Sequence, residues 1–121
     1  LKKYGVEPSL LMTWAYKDKP EMTAGLASAY ITAGNRNGIM VFPVGLAFQR
    51  SQKINPDIEL FTPDKRHPSK AGTYLMAAVI YSSIYKVSPI GNSYDYGLGQ
   101  DIQRRLQETA WETLSYYKGI K

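Results

Sequence analysis

The chain has no cysteine and only one histidine. Disulfides and thiolate metal ligands are therefore excluded within it, and one imidazole leaves too few donors for a metal site to be expected. It has no apolar run approaching the roughly 18 residues of a membrane-crossing helix. The start, LKKYGVEPSLLMTW, is basic and then apolar, but Pro8 interrupts it and no small-residue cleavage site follows, so no signal peptide is read there. It also has no block of like charge. The formal net charge is +5, but the basic residues fall in scattered pairs: Lys2 and Lys3, Lys17 and Lys19, Lys65 and Arg66, Arg104 and Arg105. That pattern reads as a solvated surface rather than a nucleic-acid footprint. Internal repeats and low-complexity segments are absent too.

What is there is one modest domain. At 121 residues with 44% hydrophobic and 21% charged, the chain can bury a real core. Leu1 to Tyr4 reads as the tail of a helix stopped at Gly5, as if the chain were cut from something longer. Ser9 to Trp14 (SLLMTW) reads as a buried strand after Pro8. Glu21 to Ala33 reads as a helix, with Met22, Leu26, Ala29, Tyr30 and Ala33 on one face. Gly34 to Gly38 is a turn cluster, and Ile39 to Phe42 a second apolar strand ended by Pro43. A strand, a helix and a strand in that order predict a βαβ unit with parallel strands. Gly45 to Lys53 reads as a short helix, and Ile58 to Phe61 as a brief extended piece. Pro68 opens a helix to Tyr85 that is apolar nearly all round. Residues 88–99 form a connection rich in Gly, Pro, Asn and Tyr. A last helix runs from Asp101, its N-cap, to Tyr117, with Ile102, Leu106, Ala110, Leu114 and Tyr117 as its stripe. The result is an α/β layer structure with too few strands to be complete, since parallel sheets need several strands and cover on both faces.

The lone histidine stands in DKRHPSKAGTYL, three residues after Asp64. In a turn, that spacing lets the carboxylate reach Nδ1 of His67 and leaves Nε2 facing the crevice, as a serine hydrolase requires of its acid and base. Spacing alone serves equally well for a turn-forming aspartate and a surface residue at a helix cap. In open parallel sheets, sites form beyond the carboxyl ends of the strands. There the loops after Trp14 and Phe42 and the Asp64–His67 loop would converge.

The wider stretch DKRHPSKAGTYLMAAVIYSSIY resembles the C-terminal block of the SGNH/GDSL hydrolases, in which an Asp-x-x-His loop leads through Pro and Gly into the last core helix. SLLMTWAYKD is similar to that family's penultimate core strand and loop, VFPVGLAF to its last strand, and LQETAWETL to a helical tail of some bacterial members. The resemblance covers nearly the whole chain. It implies the C-terminal part of a flavodoxin-like, three-layer α/β/α fold with parallel strands. Residues 1–88 would belong to the hydrolase-like domain, and 89–121 would be a connection and helix packed on it. It further implies a serine esterase in which Asp64 and His67 are catalytic, with no cofactor and a small-molecule or carbohydrate ester as substrate.

The Gly-Asp-Ser nucleophile block and the Gly-x-Asn-Asp block of the family are not in this sequence. The serine is expected upstream, in a missing N-terminal half, and the chain alone is expected to be inactive. Trp14 and Tyr16, after the first strand, and Gly45, after the second, are candidate substrate-binding residues. Packing serves Trp14 equally well, and a plain turn Gly45. Lys17 and Arg66 are weaker candidates for the same crevice. A non-catalytic ligand-binding module on the same scaffold is the alternative, with a small nucleic-acid-binding domain behind it. Compartment follows from none of the residues; only the resemblance suggests a periplasmic or secreted setting.

Overall fold

Pro8 and Pro43 bracket the short strands that begin the structure. In the computed structural model, which describes residues 2–119, Ser9–Leu11 (β1) pairs with Met40–Phe42 (β2) in parallel. Leu10 lies opposite Val41. The expected strand through Trp14 is shorter: after Leu11 only the Met12 N–H continues the ladder, donating to Phe42 O at 3.0 Å, and the chain then leaves the sheet. The βαβ order holds, with α1 (Met22–Asn37) between the strands.

Among the described residues four α-helices make the structure mostly helical: α1, α2 (Val44–Ile54), α3 (Lys70–Tyr85) and α4 (Gln100–Gly119). Three of the boundaries that differ from the sequence reading have a local cause. The Gly34–Asn37 cluster is helix rather than turn. The Asn37 side-chain amide donates to Ala33 O at 2.8 Å, and Gly38 closes the helix in the left-handed region, its N–H donating to Gly34 O. Pro68 is not the first helical residue. It is bridged to Phe61 in an antiparallel pair, and Ser69 caps α3, accepting from Gly72 N–H at 3.2 Å. Asp101 lies inside the first turn of α4 rather than capping it, and pairs with Arg105 one turn on. The expected helix tail at 1–4 is a 3-10 turn over Lys2–Tyr4; Leu1 lies outside the described residues.

The stripe on α4 is where periodicity placed it. Leu106, Ala110, Leu114 and Tyr117 are buried, and Ile102 packs against the core from a half-buried position. With Phe48 and Val44 of α2, and Leu75, Ala78 and Val79 of α3, Leu106 and Ala110 form the main core, while Tyr117 joins Met12 and Val41 in a second cluster; Ile58, Leu60 and Phe61 close the main core from the loop before α3. Buried apolar side chains of this size each contribute about 1.5–3 kcal/mol. Polar ties fix the seams: the Asn55 amide donates to Thr109 Oγ1 at 3.1 Å, and the Arg50 guanidinium holds Glu112 at 2.7 Å. α3 is covered on one side only, leaving Tyr81, Ile84 and Tyr85 exposed. Among the described residues no helix is long and apolar enough to cross a membrane.

Candidate active site

The Asp64–His67 loop is a tight reversal hung between Phe61 and Pro68. Thr62 N–H donates to His67 O at 2.8 Å, Lys65 N–H to Thr62 O at 2.9 Å, and Ser69 N–H to Leu60 O at 2.8 Å. Inside the reversal the Asp64 carboxylate is almost fully engaged. Oδ1 accepts from Thr62 Oγ1 at 2.7 Å, from Arg66 N–H at 2.9 Å and from His67 N–H at 3.0 Å. Oδ2 contacts Nδ1 of His67. The His67 contact first, then the backbone N–H groups of His67 and Arg66 and the Thr62 hydroxyl, hold the Asp64 carboxyl far below the usual carboxylate range. An ionised carboxylate only accepts, so Nδ1 carries the donated proton and Nε2 is left as the basic nitrogen. The ring is 77% exposed, and among the described residues no hydroxyl hydrogen-bonds to it.

Two of the candidate binding residues come to this loop. Trp14 donates its indole N–H to Arg66 O at 2.7 Å and stacks on Phe48, with centroids 5.0 Å apart. Phe48 in turn meets Phe61 edge-on at 5.7 Å, so the indole joins the core of α2 to the base of the loop. The Tyr16 ring lies under the Arg66 guanidinium at 4.7 Å. A backbone tie, Lys17 N–H to Lys65 O at 2.9 Å, fastens the segment after β1 along the loop, and the Lys17 ammonium pairs with Glu59. Gly45 is placed differently. It is buried, its N–H donates to Met12 O at 3.1 Å, and a Cβ there would come within 2.1 Å of Thr13 O. This glycine lets the start of α2 lie on the chain leaving β1, and its N–H is already engaged by protein.

Two residues of the loop's support were not singled out from sequence. Thr62, two before Asp64, completes the carboxylate's partners; its Thr-Pro-Asp setting is a legible turn signal. Glu59 anchors Lys17 across 42 positions and, through its backbone carbonyl, accepts from Ser69 Oγ at 2.8 Å. No local pattern announces that role.

No protein-family model, curated protein or solved structure matches the chain. The Asp64–His67 loop itself has a defined geometry. It presents a fixed, singly oriented imidazole base to solvent, buttressed by an anion and flanked by an aromatic-backed guanidinium.

Proposed function

We propose that this chain supplies the acid–base half of a serine-type carboxylic ester hydrolase. The contact between Asp64 Oδ2 and His67 Nδ1, inside a reversal braced by Trp14 and Lys17, is the observation that carries the reading. Nε2 of His67 takes the proton of a serine hydroxyl supplied by a segment outside this sequence as that oxygen attacks the ester carbonyl. It returns the proton to the departing alkoxide, and the cycle repeats with water to release the acid. Asp64 holds the ring and stabilises the imidazolium formed in each step. The two strands, each with a single neighbour, then form one edge of a larger parallel sheet in a flavodoxin-like three-layer domain of the SGNH type. The half-buried state of Leu10 and Leu11 supports this. Trp14 and Tyr16 form the near wall for a small-molecule or carbohydrate ester.

In the protein carrying the serine, His67→Ala is expected to lower hydrolysis of a p-nitrophenyl ester by about three orders of magnitude or more, because a triad works as a unit. An unchanged rate defeats the assignment. Asp64→Asn is expected to cost less. The second reading, a non-catalytic ligand-binding module, is favoured by the exposure of the imidazole and its lack of a hydroxyl partner among the described residues. It gains if no serine follows the first strand of the domain.

A further inference from the structure

Away from the His67 loop, α3 and the 88–99 connection enclose a cleft of about 320 Å³, at the lower end of the roughly 300–1,000 Å³ usual for small-molecule sites. Its walls include Ala77, Ala78 and Tyr81 of α3 and Pro89, Tyr94 and Tyr96 of the connection. The wall opposite α3 is held by two buried glutamines of α4. The Gln103 amide donates to Asn92 O at 2.6 Å and Tyr94 O at 3.0 Å. That of Gln107 donates to Asn92 O and to the Tyr74 hydroxyl, both at 3.0 Å, while its oxygen accepts from Gly91 N–H at 3.1 Å. A buried amide is costly unless bonded, and these bonds set the connection in one position. The cleft is thus built in advance of any ligand, yet its rings remain uncovered: Tyr81 and Tyr96 are each 38% exposed and Tyr94 is 66% exposed.

Charge decides what fits. The Lys70 ammonium lies beside the cleft rather than in its lining, 5.5 Å over the ring of the lining residue Tyr96, and among the described residues it has no carboxylate partner. Asp95, the one acidic residue of the connection, is turned into its own loop, accepting from Gly97 N–H at 2.9 Å, and like Lys70 it is not in the cleft's lining. A cationic ligand would meet no carboxylate among the cleft's lining residues and would have the Lys70 ammonium beside it. An anionic head has one cation available to it.

We propose that this cleft binds a small amphipathic monocarboxylate, its apolar body against the tyrosine faces and Ala77, its carboxylate at the Lys70 ammonium. The site stands whether or not His67 acts on esters. The test titrates the purified full chain with octanoate, octanol and octylamine, followed by tyrosine fluorescence and calorimetry. Octanoate should bind saturably, and octanol about threefold more weakly, the worth of one partly exposed ion pair. Octylamine should bind most weakly of the three. Lys70→Gln should erase the preference for octanoate over octanol. Ala77→Phe, at an exposed helix position, should fill the cleft and abolish binding of both. No saturable octanoate binding, octylamine binding as tight as octanoate, or an Ala77→Phe protein that still binds octanoate overturns the proposal. Should Ala77→Phe lose its helical circular dichroism, Tyr81→Ala replaces it; weakened octanoate binding is expected, and unchanged affinity refutes the site.

Discussion

On one side of the molecule α2, α3 and α4 close over Phe48, Leu75, Val79 and Leu106, all at 1% exposure or less. On the other side α1 and the two strands share a thinner core, in which Met12, Val41 and Tyr117 are buried and Leu10, Leu26, Tyr30 and Ile31 only partly so. The α1 helix fully buries just Thr23 and Gly34, neither of them a large apolar residue. The helical side buries its large apolar residues more completely. On the sheet side the parallel pair leaves strand edges uncovered among the described residues, as a two-stranded sheet must. The candidate dyad sits where the two sides meet, and Trp14, stacked on Phe48, is the joint.

Three measurements would break or sharpen that contrast. The largest effect is expected from Phe48→Ala, which opens the main core beneath Trp14 and Phe61; truncation of this kind costs about 3–5 kcal/mol. It should appear in denaturant melts together with loss of order in the His67 loop. Gly72→Ala comes next. Its Cβ would lie 2.3 Å from Leu60 O and 3.0 Å from Pro68 Cβ, so a change that ordinarily strengthens a helix should instead cost about 1–3 kcal/mol through forced displacement. A neutral or stabilising result would show that the loop is not pressed against α3. Leu26→Ala on α1 is expected to cost only about 1 kcal/mol, since the side chain is half-buried. A loss equal to that of Phe48→Ala would erase the difference between the two sides.

The smallest effect is local and depends on acidity. The folded pKa of Asp64 is depressed, so its contribution to the loop is fully present above the unfolded value of about 3.9 and is lost as pH falls below it. The amide resonances of Arg66 and His67, whose N–H groups bond Oδ1, should titrate together with a midpoint below that value. A midpoint at or above it would contradict the observed hydrogen bonding.

Much of the helical side was legible in the sequence. The stripe Leu106, Ala110, Leu114 repeats every four residues because a helix brings those positions to one face. The end of α1 was not legible: Gly34, Asn35 and Asn37 are poor helix formers, and read alone they form a turn. They stay helical because the Asn37 amide and the Gly38 N–H satisfy the terminal carbonyls. The extent of the first strand was overread, since the apolar run continues to Trp14 while Trp14 itself turns toward the Arg66 carbonyl. In the candidate site, Asp64 and His67 were readable as a pair, whereas the engaged N–H of Gly45 and the Glu59 anchor were not.

The division follows from range. Interactions closed within a few residues, such as the turn that joins Asp64 to His67 and the stripe on α4, depend only on neighbouring side chains and backbone geometry, and the amino-acid order determines them alone. Contacts such as Trp14 with Arg66, Lys17 with Glu59 and Gln107 with Tyr74 join positions 33 to 52 residues apart. No period encodes them, and they exist because packing of the helices and strands brings those side chains to one place.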